Sequence, residues 1–428
     1  MKKIILLIAI MISFTLVACN DTKTPSEPVK LAIPEVSVSE TGKARWEKVK
    51  NASSYVYKIN NEEVVYTNTR NVQLENGDII RVAAVGDGEV YLDSDFSLGR
   101  IYLKPSKSTK NWQQTYFQYF DTVSTIMSFK GEEQEQFAES LKVVEEVLWE
   151  YHQLFDIYHE YSGVVNLCTI NKLAGGEALV VDQKLIDFLL YAKEIYTITK
   201  GETNVMLGPV LRLWHDARVT ASDDPSMAYI PEMEKLEEAL KYCSMDYLEI
   251  DDEKNTVRLS NEKARIDVGA LGKGYATEKA ALLLESLDCT SYVLNIGGNI
   301  RIIGTKPDGT GWNTGIKNPL GTTPYSLYLN ISNTSCVTSG DYERYFIYEG
   351  QKYHHVIDKD TLMPSTYFSS VTILTKNSGL ADALSTALFT MPYEEGRAII
   401  DSLEDTEAIW IDKEGNIVYT DGVKPIDL

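Results

Sequence analysis

The sequence predicts an α+β domain preceded by a small all-β sandwich, and three features of its patterning carry that prediction. Between Leu31 and Lys104, short apolar–polar alternations are punctuated by turn residues, with no helical period. From Trp112 onward, apolar residues recur at spacings of three and four between strand-like runs. Glycine-rich turns join those runs to helices, foremost in Asp267-Val-Gly-Ala-Leu-Gly-Lys-Gly-Tyr-Ala-Thr-Glu278. A chain of 428 residues has room for two or three domains, and 44% hydrophobic residues suffice for sizeable cores. Its formal net charge of −21 argues against nucleic-acid binding, which needs lysine and arginine against phosphates.

Residues 1–19 read as a lipoprotein signal peptide. Lys2 and Lys3 make a basic start, Ile4 to Val17 is apolar, and Leu16-Val17-Ala18-Cys19 resembles a bacterial lipobox. The apolar run is short for a bilayer span. Lipidation of Cys19 would hold the protein on the extracytoplasmic face of the cell membrane without crossing it. Residues 20–30 are polar and contain proline, a tether that lifts the body off the surface. No later segment is long and apolar enough to cross a bilayer. Cys168, Cys243, Cys289 and Cys336 are widely spaced and form no C-x-x-C. They read as buried free thiols, not as a zinc site or disulfide framework.

In residues 31–104, Tyr55, Tyr57 and Ile59 alternate, as do Ile80, Val82 and Ala84. Asn76-Gly77-Asp78 and Gly86-Asp87-Gly88 read as turns. The surroundings of Trp46, Tyr55 and Ala84 resemble a fibronectin type III-like sandwich, which reads as a spacer or adhesion module because it carries no catalytic constellation. Residues 105–111 form a linker to the domain at 112–428. There Thr122 to Phe129 reads as a strand, and Phe137, Leu141, Val144, Leu148, Tyr151 and Phe155 mark one face of a helix. A second amphipathic helix runs from Gln183 to Thr199, with Leu185, Leu189, Ala192 and Tyr196 on one side.

Four clusters carry the chemistry. In the first, the glycines around Lys273 let backbone N–H groups approach an anion, and a helical pattern beginning at Tyr275 turns its positive end toward it. The second, Asn295-Ile-Gly-Gly-Asn299, follows an apolar run; paired glycines there mean a tight turn or a close backbone approach. The third joins Ser339-Gly-Asp-Tyr-Glu-Arg-Tyr345 to Tyr353-His-His-Val-Ile-Asp358. Two of the chain's five histidines adjoin in it. On a strand His354 and His355 face opposite ways, so at most one enters a given cleft, where it could act as a general base. In the fourth, Ala381-Asp-Ala-Leu-Ser-Thr-Ala-Leu388, Asp382 and Thr386 stand one helical turn apart, a carboxylate and a hydroxyl suited to a hard cation such as Mg²⁺.

In this order the clusters resemble the ApbE family of flavin transferases, the FAD:protein FMN transferases. Counterparts of D-x-G-G/A-x-A-K-G-Y-A, N-x-G-G-N/D, S-G-x-Y-x-R, H-H-I-x-D and A-D-A-x-x-T-A are all present. The resemblance runs from about Tyr116 to the C-terminus and includes Phe120-Asp-Thr-Val-Ser-Thr-Ile126 and Gly208-Pro-Val-Leu-Arg-Leu-Trp214. It implies an α+β, ApbE-type (T-fold-like) domain that takes FAD as substrate and uses Mg²⁺. By position it implies that Asp267 and Lys273 hold FAD, and that the Ala270 carbonyl, Asp382 and Thr386 hold the metal. It makes His355 the catalytic histidine, and it places Phe120, Tyr158, Glu202, Thr203 and Asn204 along the flavin pocket. Gly272 stands where the family usually has alanine, and Glu202-Thr203-Asn204 where it usually has Ala-Phe-Asp.

The chemistry implied is Mg²⁺-dependent transfer of FMN from FAD to a threonine or serine hydroxyl of an extracytoplasmic flavoprotein, with release of AMP. A Mg²⁺-dependent FAD pyrophosphatase would use the same site with water as nucleophile. A lipoprotein that only binds flavin would need neither the metal pair nor the base, and a purely adhesive protein would leave most of the chain unexplained.

Overall fold

The computed structural model describes residues 29–427, except 40, 61–62, 76–77, 89, 98, 103–110, 130–133 and 307. The expected signal peptide with Cys19, nearly all of the tether, most of the linker and part of the Asn76-Gly77-Asp78 turn lie outside the described residues. The chain divides into two compact units, Met1–Lys104 and Pro105–Leu428. Among the described residues no helix is long and apolar enough to cross a membrane.

The first unit is all-β. One sheet joins Val36–Val38, Lys43–Trp46 and Asn71–Gln73; the other joins Val65–Thr67, Ser54–Ile59, Ile79–Val85 and Arg100–Ile101. The two sequence alternations face each other across one ladder, Tyr55 with Ala84, Tyr57 with Val82 and Ile59 with Ile80. Their shared face closes over Trp46, whose ring meets Tyr55 edge-on at 6.0 Å. Such aromatic and β-branched cross-strand pairs are the unit of sheet stabilisation. The Tyr55 hydroxyl accepts the Val49 amide at 2.9 Å, which gives its buried oxygen a partner.

The second unit is built on an eight-stranded antiparallel sheet. Its strands in spatial order are Asn111–Tyr119, Thr122–Phe129, Ser291–Ile296, Asn299–Gly304, Ser335–Gly340, Ser370–Thr375, Glu407–Ile411 and Ile417–Tyr419. The helices are α1 (Gln134–Phe155), α2 (Leu167–Lys172), α3 (Gln183–Ile198), α4 (Gly208–Asp223), α5 (Met233–Leu240), α6 (Gly272–Ser286), α7 (Ser378–Phe389) and α8 (Tyr393–Asp401). The period of two sorts the strands between two cores. Val371, Ile373, Ala408 and Trp410 pack with α7 and α8, while Leu374, Ile409 and Ile411 pack on the opposite face under the strands Trp312–Lys317 and Tyr325–Ile331.

The Phe137-to-Phe155 stripe is the buried face of α1 and meets α3 and α6 through aromatic rings. Phe155 lies 4.1 Å from Phe188, and Tyr151 lies 5.7 Å from Tyr275. Helix α3 also buries Ile186, Phe188 and Ile195, a wider face than its stripe, because it packs into the same large core as α1 and α6. Helix α6 begins at Gly272, three residues before the expected Tyr275. Gly274 in its first turn has no side chain, and that permits the approach to α7. A Cβ at Gly274 would stand 2.4 Å from Asp382 Cβ and 2.4 Å from the Ser378 carbonyl. Apolar periodicity carries no record of such a contact. The four cysteines at 168, 243, 289 and 336 are free and buried.

Candidate active site

The glycine turn folds back on itself before entering α6. The Asp267 amide donates to the Val205 carbonyl at 2.8 Å, and the Asp267 carboxylate accepts the Gly269 amide at 2.9 Å. Lys273 Nζ donates to the Gly269 carbonyl at 3.1 Å and stands 3.5 Å from Asp382 Oδ2. The Gly274 amide donates to the same oxygen at 2.8 Å. The first and fourth clusters are thus one assembly, with Ala270 half-buried beside the exposed Gly269.

Two other clusters brace it. Asn299 accepts a short hydrogen bond from the Ser378 hydroxyl at the start of α7, and a Cβ at Gly274 would lie 3.0 Å from Asn299 Nδ2. Gly297 and Gly298 form a two-residue hairpin loop at φ 60° and 87°, the left-handed geometry that favours glycine. This loop abuts Thr122, which would lie 2.5 Å from a Cβ at Gly297. From the third cluster, Ser339 Oγ lies 3.2 Å from Thr386 Oγ1 and 2.8 Å from Ser385 Oγ. Burial pushes the carboxyls of both Asp382 and Asp267 above the usual range, against the opposing pull of Lys273 and of the Gly274 and Gly269 amides. A carboxylate held at such cost suits a bound cation.

The adjacent histidines divide as the strand geometry requires. His354 is buried at the end of the strand Gln351–His354; its Nε2 donates to the Ser365 carbonyl at 2.9 Å, its Nδ1 accepts the Val356 amide, and burial pushes its pKa down to about 4. His355 is solvent-accessible but set deep in the cleft. Its Nδ1 lies 3.2 Å from the Arg344 carbonyl, which only accepts, so Nδ1 carries the proton and Nε2 keeps its lone pair. Burial and then the cations of Arg344, Lys273 and Arg218 push its pKa down to about 3.

A second wall comes from α4. His215 Nδ1 lies 3.1 Å from the Tyr158 hydroxyl and 3.3 Å from Arg218. Tyr158 is 42% exposed, and burial of its inner side with the charge of Asp267 nearby pushes its hydroxyl up to about 12. Arg218 feels the charge of Arg344, and Asp267 that of His215 and Arg344, so these groups lie within electrostatic reach of one another. A chain of net charge −21 therefore gathers Arg218, Arg344, Lys273, His215 and His355 at one cleft. Arg344 stood in a quoted motif without an assigned role, and His215 and Arg218 were missed. Their three-residue spacing on a helix is the signal that could have paired them.

Phe120 sits at φ +53° in the loop beside the Gly297–Gly298 hairpin, with its amide on His152. The side chains at 202–204 are committed to the fold. Glu202 pairs with Lys359 at 3.1 Å and accepts from Thr390 at 3.0 Å; Thr203 donates to the Ala383 carbonyl at 2.9 Å. Asn204 caps Met206 and donates to the Cys243 carbonyl at 3.0 Å. Their link to the cleft runs through the backbone that precedes α4.

Comparison with known proteins identifies the family. A profile of the ApbE family matches residues 120–410. The FAD:protein FMN transferase of Treponema pallidum is 31% identical over 272 residues, 60% of this chain and 73% of that one. The enzyme of the same name from Klebsiella pneumoniae is 26% identical over 272 residues, 63% of this chain and 81% of that one. The crystal structure of the ApbE protein of Thermotoga maritima covers 73% of this chain and 97% of its own, at 26% identity and a TM-score of 0.64. The flavin transferase ApbE of Vibrio cholerae shares the fold at 22% identity and a TM-score of 0.60, covering 72% of this chain and 97% of its own. The matched span holds both walls of the cleft, and with it this chain belongs to the ApbE family.

Proposed function

We propose that this flavin transferase moves FMN from FAD to a threonine or serine hydroxyl of an extracytoplasmic flavoprotein, releasing AMP, with Mg²⁺ at the site. One observation carries the reading: a cationic wall and a buried oxygen-donor wall meet at a single cleft, as the pyrophosphate of FAD requires. Lys273 would neutralise charge growing on the phosphates, and Arg218 and Arg344 would orient them. In the step itself the acceptor oxygen bonds to the FMN phosphorus, the bond to the bridging oxygen breaks, and AMP leaves with that oxygen. The acceptor proton goes to His355 Nε2, the nitrogen left bare by the Arg344 carbonyl. Burial and then its neighbours' charges leave His355 a poor base; a bound pyrophosphate would offset the charges and raise its pKa.

Asp382, Thr386 and the Ala270 carbonyl would hold Mg²⁺. They offer only oxygens, and no cluster of three or more His, Cys, Asp or Glu side chains able to hold a metal stands among the described residues, so water and phosphate would complete the shell. Bound there, the ion supplies Lewis-acid polarisation and a template for the phosphate oxygens. The lipobox at Leu16 to Cys19 supports lipid anchoring on the outer membrane face, where the acceptor would also lie.

The test mixes a fragment lacking residues 1–19 with FAD, Mg²⁺ and an FMN-binding acceptor domain, and records acceptor mass and AMP. A covalent FMN adduct with AMP, both lost on chelation, is expected. AMP and free FMN without an adduct would favour the pyrophosphatase, and bound FAD without product would favour a carrier.

A further inference from the structure

The tightest turn at the cleft is also its least comfortable. Tyr119 pairs with Thr122, leaving Phe120 and Asp121 as a two-residue hairpin loop at φ +53° and +51°. Both are in the left-handed region, where a bulky aromatic is an outlier. The neighbouring hairpin meets the same geometric demand with Gly297 and Gly298, so this fold has the unstrained solution close by and does not use it here. Something must hold Phe120 in place.

What holds it is a one-way chain of hydrogen bonds. The Phe120 amide, which can only donate, lies 3.2 Å from His152 Nδ1, so Nδ1 bears the lone pair and the ring proton is on Nε2. Nε2 lies 3.3 Å from the Tyr161 hydroxyl, which donates to Asp156 Oδ2 at 2.8 Å. Asp156 Oδ1 accepts the amides of Tyr158 at 2.7 Å and His159 at 3.0 Å. Trp149 stacks on the His152 ring at 5.4 Å, and the Phe120 ring meets it edge-on at 5.7 Å. The donors run one way from the Phe120 turn to Asp156, and there the amides of Tyr158 and His159 meet the same carboxylate from the loop.

We infer that His152 is a positioning residue for the flavin pocket: in its neutral Nε2–H form it holds the strained Phe120–Asp121 turn and, through Tyr161 and Asp156, ties that turn to the Tyr158 loop. The inference rests on the reading that Phe120 and Tyr158 line the pocket. Protonation of Nδ1 would set N–H against N–H and release the turn. The groups facing His152 are Asp156, Tyr161 and His159 from the loop and Asp121 from the turn. Burial and His159 oppose the charged ring, and the two aspartates favour it. Burial is the largest of these, so the neutral form prevails at neutral pH and is lost as the pH falls below the ordinary histidine range.

The test is FAD affinity, read by quenching of flavin fluorescence from about pH 8 to about pH 5, in the wild type, His152→Asn and Tyr161→Phe. Asparagine can still accept the Phe120 amide but cannot titrate. The wild type should lose affinity on the acid side, and His152→Asn should lose less. Comparing the two removes the contributions of His215 and His355, which they share. Tyr161→Phe, nearly isosteric, should weaken FAD about three- to tenfold at neutral pH with an unchanged thermal midpoint. As a check without variants or ligand, acid should quench Trp149 as the stacked ring becomes charged. An acid limb identical in wild type and His152→Asn overturns the inference, as does wild-type affinity in Tyr161→Phe. A wild type that binds no FAD at any pH overturns both the inference and the pocket reading, whereas flat variant effects on a protein that does bind FAD overturn the inference alone.

Discussion

The α6–α7 wall of the cleft and its α4 wall are held by different forces. Between α6 and α7 nearly every polar group is matched. Asp382 takes the Gly274 amide, Asn299 is locked to Ser378, and Glu278 accepts both the Ser378 amide at 2.8 Å and the buried Arg301 at 3.2 Å. Across the cleft, burial and then neighbouring cations lower the proton affinity of Arg218, His215 and His355, with Arg344 acting on Arg218 and His355, Arg218 acting on both histidines, and Asp267 the acid among them. The first wall is held mainly by hydrogen bonds, and the burial of the Asp382 carboxyl is its cost. The second is electrostatically frustrated until an anion arrives, which is where a protein stores binding energy at the expense of fold stability.

The largest effect is expected at His355. His355→Ala should cut the rate of transfer by about 10²–10⁴-fold, the usual worth of a positioned general base, while FAD affinity changes little. Adduct formation in a single turnover, set beside an FAD titration, separates the two; equal losses in both would make His355 a ligand for FAD and not a base. Arg218→Ala comes next, with FAD weakened about 10- to 100-fold as a charge-assisted contact to phosphate is removed. Its thermal midpoint without ligand should hold or rise, because a like charge beside Arg344 is gone, and a clear fall would show that the α4 wall is structural after all.

On the matched wall the effects move from binding to stability. Gly274→Ala drives a methyl into Asp382 and the Ser378 carbonyl, and should cost about 1–3 kcal/mol in denaturant unfolding, because backbone cannot step aside. The smallest effect is expected from Glu202→Gln, about 1 kcal/mol or less through the Lys359 pair, at unchanged FAD affinity. Weaker FAD binding in that variant would return Glu202 to the pocket lining.

Much of this was legible in the residues. The strand Thr122–Phe129 has the bounds its pattern predicts, and the alternations at 55–59 and 80–84 are paired across a ladder. His354 and His355 part company as neighbouring positions at a strand end must. The start of α6 was not legible, because Gly272, Lys273 and Gly274, which precede Tyr275 in its first turn, offer no apolar side chain to report a helix. The side chains of Glu202, Thr203 and Asn204 also read differently in three dimensions. Their partners Lys359, Ala383 and Cys243 lie far along the chain, and nothing local announces such contacts.

The sequence by itself determined the periods of strand and helix, the positions of the glycine turns, and which residue types could hold a phosphate, a hard cation or a proton. Those are properties of one segment at a time, set by backbone sterics and side-chain chemistry over a few residues. Only the tertiary structure decided that Lys273, Arg218 and Arg344 share one field, which nitrogen of His355 is bare, and that the Phe120 turn hangs on His152. Each of these depends on groups that distant segments bring within a few ångströms, and Coulomb energy and hydrogen-bond direction depend on that separation and not on position along the chain.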